Sequence, residues 1–215
     1  MSPLFWYAGI FAPATVLIPI GCAISNYRDI DQAQKLALLY LLVAGCTNVA
    51  AAILAFNNRN NLFLLHLYTA VEFALLSAYF MLLIKQRYFR FIALPLVVFF
   101  FLFCLYNAFN LQTVTRFNSY PRSTEAVLLP AYGLYYLYTN IGTHQTKRRN
   151  WSHYWMVIGI IIYFTSSLIQ FSFSNIFTIS LSKDVRLWLW TFHTSMVIVM
   201  YIFFAKAYLS YPDER

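Results

Sequence analysis

The stretch NLFLLHLYTAVEFALLSAYF, residues 61–80, is apolar at almost every position but contains His66 and Glu72. A helix needs about 20 residues to cross about 30 Å of hydrocarbon, so a run of this length is typical of a membrane span. A charged side chain at the centre of such a helix costs about 2.5–3.5 kcal/mol on insertion scales. We therefore predict a transmembrane helix whose polar side chains point into a helical bundle and away from lipid.

The composition of the whole chain predicts the same environment for the rest of it. Of the 215 residues, 61% are hydrophobic, 20% are aromatic and only 10% are charged, whereas soluble domains carry about 25% charged residues. No polar domain interrupts the apolar runs, so we predict one integral membrane domain, residues 1–215. Cys22, Cys46 and Cys104 each lie in an apolar run, where we expect small packing residues rather than a disulfide framework.

Seven apolar runs are long enough to span a bilayer, and they predict an all-α bundle of seven transmembrane helices. Short charged or Asn-rich segments separate the runs. The fifth run is the least apolar, because it contains Glu125, Pro130 and several tyrosines. The predicted helices are approximately residues 4–25, 36–56, 62–84, 91–110, 124–142, 155–177 and 186–210.

The distribution of basic residues predicts the orientation of the bundle. Ten Lys and Arg fall on the side that holds the first, third and fifth connections and the C-terminus, and five fall on the other side. Since cytoplasmic loops carry the excess of basic residues, we predict an outside N-terminus, a cytoplasmic C-terminus and a location in the plasma (inner) membrane. The ten are Arg28, Lys35, Lys85, Arg87, Arg90, Lys147, Arg148, Arg149, Lys206 and Arg215, and the five are Arg59, Arg116, Arg122, Lys183 and Arg186.

Polar side chains from several predicted helices fall at one depth, in the outer half of the bilayer. Glu72 would lie about 15 Å below the outer end of the third helix, and His193 about 10 Å below that of the seventh. Glu125 is interpreted differently, because it would lie in the first turn of the fifth helix, where a carboxylate suits the helix dipole. The candidate ligand-binding residues at this polar level are Asn48, His66, Tyr68, Thr69, Glu72, Gln170 and His193.

An ionisable residue inside a membrane is by default a candidate for function. The polar level favours a non-enzymatic small-molecule-binding or sensory protein, with its pocket in the outer half of the bilayer. The first alternative is a metal-dependent intramembrane hydrolase, in which His66, Glu72 and His193 would supply the three ligands that catalytic zinc requires. A small-solute transporter is the third hypothesis.

No cofactor is predicted from the sequence. A retinal protein would need a lysine in the middle of the seventh helix, but Lys206 would lie at its cytoplasmic end, where snorkelling to the headgroups explains it. Haem ligation by His66 and His193 would lack the second histidine pair that transmembrane electron transfer normally requires.

The predicted partners are the lipid bilayer, a small-molecule ligand and, for a signalling role, a separate partner chain. Only YPDER follows Ser210, so we expect any output domain to belong to another chain. The formal net charge is +8, and short loops facing anionic headgroups account for it. No nucleic-acid partner is predicted.

Two short segments carry a resemblance to a group of known proteins. HLYTAVEF, residues 66–73, and WLWTFHTS, residues 188–195, look like segments of small bacterial seven-helix integral membrane proteins. The resemblance implies the same helical bundle along most of the chain. Some such bundles serve as sensory modules, but the resemblance implies no particular activity.

Cysteine labelling tests the predicted orientation. In a background with Cys22, Cys46 and Cys104 replaced by alanine, Asn58→Cys should react with a membrane-impermeant maleimide added to intact cells. Arg148→Cys should react only after permeabilisation, because its loop is predicted to be cytoplasmic. Label that reached position 148 but not position 58 would show that the orientation is reversed.

Overall fold

The computed structural model describes residues 3–140 and 148–210, and within these ranges the chain is almost entirely helical. This confirms the prediction of an all-α fold. Lys147, Arg215 and the predicted helix end at Gly142 lie outside the described residues, as do the side chains of Arg148 and Arg149. The helices are α1 (a broken helix of Pro3–Trp6, Tyr7–Phe11, Ala12–Ala14 and Leu17–Ser25), α2 (Gln32–Phe56), α3 (Leu62–Leu83), α4 (Arg87–Tyr106, extended by Asn107–Leu111), α5 (Ser119–Asn140), α6 (Arg148–Ser180) and α7 (Lys183–Leu209).

Among the residues that the structure describes, six of the seven helices are long and apolar enough to cross a membrane, so the chain is a multi-pass membrane protein. The exception is α5, which corresponds to the least apolar predicted run. It packs against α6 and α3, and nearly half of its residues are buried inside the bundle. A helix that contacts other helices rather than lipid can carry polar side chains, provided that they find partners.

Several helices extend beyond the approximate bounds predicted from hydropathy, and polar residues at helix ends explain the differences. α2 begins at Gln32 because Asp31 caps it, its carboxylate accepting from the Gln34 N–H at 2.9 Å while the Gln34 side chain accepts from the Asp31 N–H at 3.0 Å. α6 runs over Arg148–Ser180, so residues 148–154 and 178–180, which were predicted to lie in loops, are helical. Hydropathy locates the apolar part of a helix and not its capped ends.

Proline divides the first helix into short segments. Pro13 cannot donate a backbone hydrogen bond, and a π-helical turn, Tyr7–Phe11, precedes it. The Thr15 N–H then donates both to the Phe11 carbonyl at 3.3 Å and to the Ala12 carbonyl at 3.2 Å. A hydrogen bond of 2.8 Å between the Tyr7 hydroxyl and Ser195 Oγ joins this segment to α7.

A layer of fully buried apolar side chains crosses the middle of the bundle. We call it the packed layer, and it includes Leu76 and Phe80 of α3, Leu129 of α5, Ile160 of α6 and Phe204 of α7. On one side of it lie the ends of α2 and α6 and the starts of α3, α5 and α7. On the other side, the opposite ends of α2, α3, α5 and α6 form a vestibule of about 650 Å³.

Polar side chains join the helices on the vestibule side of the packed layer. His153, which the sequence placed in a loop, is buried in α6, and its Nε2 lies 2.8 Å from Asp31 Oδ2. The Gln34 side chain donates to Ser152 Oγ at 2.6 Å, and this hydroxyl donates to the Ala207 carbonyl at 2.6 Å. These bonds connect α2, α6 and α7. They fix the register of the three helices relative to one another, which the hydrophobic effect alone would not do.

Two glycines mark the closest approaches between helices. A Cβ at Gly159 would lie 2.9 Å from Phe203 Cβ and 3.4 Å from the Met200 carbonyl oxygen of α7. A Cβ at Gly133 would lie 2.8 Å from Ile161 Cγ1, a side-chain atom of α6. Small residues at such contacts let membrane helices pack tightly, because lipid offers no hydrophobic driving force for association.

Substitution at Gly159 tests the packing of α6 on α7. Gly159→Ala should lower the free energy of unfolding by about 1–3 kcal/mol, because the new methyl group meets a fixed Cβ and backbone atoms. Gly21→Ala is the matched control, since nothing lies within 4 Å of a Cβ there, and helix propensity should make it neutral or stabilising by up to about 1 kcal/mol. Thermal unfolding in detergent measures both, and equal midpoints would contradict the close approach.

Candidate functional site

A cavity of about 500 Å³ lies on the other side of the packed layer from the vestibule. Its volume is typical of small-molecule sites, which span about 300–1,000 Å³. Most of the lining is apolar, and small residues of α1 and α2 create much of the space. These small residues are Ala8, Gly9, Ala12, Ala44 and Ala51.

In five of the six helices that line the cavity, the deepest lining residue is polar. α2 contributes Tyr40, α3 contributes Glu72, α5 contributes Arg122, α6 contributes Tyr163 and α7 contributes Tyr201. We call these five residues the cavity floor. The packed layer lies one to two turns further along α3, α5, α6 and α7, so the floor is the boundary between the cavity and the apolar middle of the bundle.

Glu72 is buried, with 1% of its surface exposed, and both of its oxygens have partners. The Tyr40 hydroxyl donates to Oε1 at 3.1 Å, and the Tyr68 hydroxyl donates to the same oxygen at 3.0 Å. Arg122 Nη1 donates to Oε2. The prediction that Glu72 points into the bundle is confirmed, and its partners come from α2, α3 and α5.

Arg122 lies between two carboxylates. Besides Glu72, its Nη1 contacts Glu125 Oε2 at 3.2 Å, one turn further along α5, and its Nη2 donates to the Tyr163 hydroxyl at 3.4 Å. The guanidinium carbon lies 4.2 Å from the centre of the Phe171 ring. Glu72, Arg122 and Glu125, which we call the charge cluster, carry a net charge of −1 when both carboxylates are ionised.

The interpretation of Glu125 as a residue of the first helical turn, placed there by the helix dipole, was wrong. α5 begins at Ser119 rather than near Thr124, so Glu125 lies in the second turn, and none of its surface is exposed. Arg122, which the sequence assigned to an outer loop, is only 6% exposed. A signal was present, because Pro121 is typical of a first helical turn and Arg122 and Glu125 share a face at three-residue spacing.

His193 forms another part of the cavity wall. Its Nδ1 lies 2.8 Å from Ser167 Oγ of α6. Aromatic rings surround it, with ring centres at 5.0 Å for Phe171 and 5.6 Å for both Tyr163 and Trp190. His193 and Glu72 therefore line one cavity but have separate hydrogen-bond partners.

The seven candidate residues from the sequence divide into two groups. Asn48, Tyr68, Glu72 and His193 line the cavity. The other three, His66, Thr69 and Gln170, are buried outside its lining.

Two members of the second group hold the loop between α4 and α5. His66 Nε2 lies 3.0 Å from the Arg116 carbonyl oxygen, and the Asn118 amide donates to Thr69 Oγ1 at 2.9 Å. Their contacts position the loop that leads into α5 and hence Arg122.

A metal site would need three ligands in one place. Among residues 3–140 and 148–210, no group of three His, Cys, Asp or Glu side chains is arranged to hold a metal ion. His66 is directed towards a loop carbonyl and His193 towards a serine, so the proposed zinc ligands do not converge.

Charge deletion tests the cluster. Arg122→Gln should lower the free energy of unfolding by about 3–5 kcal/mol, because two buried carboxylates would lose their cation. Adding Glu72→Gln and Glu125→Gln should recover most of this loss, since no unpaired buried charge would remain. Unfolding in mixed micelles with increasing SDS measures each variant. Arg116→Gln, at an exposed position of the preceding loop, is the matched control, and an equal effect of Arg122→Gln would contradict the burial of the cluster.

Comparison with known proteins found no match from which a function could be inferred. A scan against protein-family models, a search of curated proteins and a search of solved structures each found no match. The resemblance carried by HLYTAVEF and WLWTFHTS stays a prediction, and a functional assignment depends on the cavity and the charge cluster themselves.

Proposed function

We propose that this protein binds a small molecule in the 500 Å³ cavity and that the bound ligand is its sensory signal. One observation carries the proposal: six helices converge on a cavity of ligand size, and the deepest residue of five of them is polar. Polar groups at the end of an otherwise apolar pocket orient a ligand and give specificity, while the apolar walls supply affinity. A purely structural cluster would not need the open volume beside it.

We also propose that the cavity opens on the outer side of the membrane, with the N-terminus outside. The charge asymmetry of the loops supports this orientation. Burial of Arg122 strengthens it, because only four of the five basic residues counted for the outer side then remain outside the buried interior of the bundle. A ligand would reach the site from outside, and a separate partner chain would receive the signal within the cell.

Transport is the second candidate function, and the vestibule is the observation that favours it. A route from the cavity to the vestibule would cross the packed layer, whose members are fully buried. Transport therefore requires a second conformation in which these side chains separate. A binding protein requires no such opening, so binding is the simpler proposal for this arrangement.

The proposal is tested by screening purified protein in detergent against a mixed panel of amines, alcohols, carboxylates and uncharged apolar molecules. A compound that binds only the folded state stabilises it by about 2.7 kcal/mol at a concentration 100 times its dissociation constant, and so raises the unfolding temperature. If no class of compound raises the unfolding temperature, the binding proposal fails.

A pair of glycine substitutions then locates the bound compound. Gly9 lines the cavity, and nothing lies within 4 Å of a Cβ built there or at Gly21, which is outside the cavity. Gly9→Phe should abolish the thermal shift by occupying the cavity wall, whereas Gly21→Phe should leave the shift unchanged. Equal shifts in the two variants would mean that the compound binds elsewhere.

A further inference from the structure

We propose that the ligand of the cavity carries a protonated amine on an apolar body, and that the amine binds at the cavity floor beside Glu72. This inference rests on the proposed function and specifies the chemical class of its ligand. Three features of the site support it: the direction of the hydrogen bonds at the floor, the net charge of the cluster and the aromatic character of the walls.

The hydrogen bonds to Glu72 determine what the nearby tyrosines can offer to a ligand. Tyr40 and Tyr68 both line the cavity, and both donate their hydroxyl hydrogens to Glu72 Oε1. A phenolic oxygen whose hydrogen is committed in this way retains only its acceptor capacity. The two hydroxyls therefore present lone pairs to the cavity, and these match a ligand that donates hydrogen bonds.

The charge cluster favours a cation over a neutral donor. Its two carboxylates face one guanidinium, and all three side chains are at least nine-tenths buried. An uncompensated charge costs several kcal/mol in a low-dielectric interior, even after relaxation. Either a proton on one carboxylate or a monovalent cation at the floor would neutralise the cluster. The cation would also form charge-assisted hydrogen bonds with Glu72, which are about twice as strong as those between neutral groups.

Aromatic rings complete the match to an ammonium group. Tyr40, Tyr68, Tyr163 and Trp190 all line the cavity. The faces of such rings attract cations, with a contribution of about 2 kcal/mol or more where water is excluded. The alanine, leucine and valine side chains nearer the loops would contact the apolar body of the ligand.

An anionic ligand fits the floor less well. Arg122 Nε has no hydrogen-bond partner among the described residues, and the Tyr163 hydroxyl accepts from Arg122 and so keeps its own hydrogen to donate. However, the charge of Arg122 is already shared between Glu72 and Glu125, and Phe171 packs against the guanidinium. When Glu72 and Glu125 are both ionised, a carboxylate ligand would be a third negative charge beside one positive charge.

Three probes of one shape distinguish these ligand classes: phenylbutylamine, phenylbutanol and phenylbutyrate. Their dissociation constants would be measured by titration calorimetry with the full chain in nanodiscs at neutral pH. We expect the amine to bind about tenfold or more tightly than the alcohol, since a charge-assisted hydrogen bond adds at least this much. We expect the carboxylate to bind most weakly.

Variants of the floor show whether the preference arises from Glu72. Glu72→Gln should reduce amine binding about tenfold or more and leave alcohol binding nearly unchanged. Tyr68→Phe removes one acceptor but keeps the pair between Glu72 and Arg122, so it serves as a second variant if Glu72→Gln fails to fold. Tyr132→Phe is the matched control, because Tyr132 is a buried tyrosine of α5 that does not line the cavity.

Each outcome decides between the two proposals. Amine binding that is lost in Gly9→Phe and weakened in Glu72→Gln supports both. The amine inference is overturned if the alcohol or the carboxylate binds more tightly than the amine. It is also overturned if neither Glu72→Gln nor Tyr68→Phe changes amine binding. In both cases the proposal of a small-molecule site is unaffected. If none of the three probes binds but other classes in the mixed panel do, the amine inference again fails alone.

Discussion

The position of Arg122 between Glu72 and Glu125 is the constraint on which the rest of the site depends. A guanidinium on α5 holds a carboxylate of α3, and this contact fixes the register of the two helices at the level of the cavity floor. A buried ion pair contributes little net stability, but the loss of one partner leaves an unpaired buried charge and is costly. The pair therefore determines which arrangement the helices adopt more than it adds to the stability of that arrangement. It also explains how α5, the least apolar helix, can bury its charged side chains against α3 and α6.

The sequence predicted the helices and the burial of Glu72, because both depend on local patterns. An apolar run of about 20 residues has few alternatives to a membrane span, and a carboxylate within it has to face protein or water. The errors at Arg122, Glu125 and His153 have one cause. When hydropathy alone decides a helix boundary, polar residues on the buried face of a helix are taken for a loop. Their hydrogen-bond and ion-pair partners are distant in sequence, so spacing along the chain does not identify those partners.

The cavity could not be predicted from the sequence in the same way. It exists because small residues of α1 and α2, including Ala8, Gly9 and Ala44, face larger side chains whose contacts with other residues keep them from filling the space. Tyr40 and Tyr68 are drawn to Glu72, and His193 is held by Ser167 and surrounding rings. An unfilled volume is a property of six helices together, whereas each helix taken separately shows only an unremarkable mixture of apolar and polar residues.

The packed layer also determines how the protein experiences the membrane potential. A voltage falls mainly across the least polarisable part of a membrane protein, and here that part is the apolar layer of Leu76, Phe80, Ile160 and Phe204. Moving one elementary charge across the full potential involves about 2.3 kcal/mol per 100 mV. The charge cluster lies on one side of the layer, so a charged ligand that entered from that side would reach it without crossing the layer. Binding in the cavity would therefore involve only the part of the membrane potential that falls on that side, whereas passage to the vestibule would involve the part that falls across the layer as well.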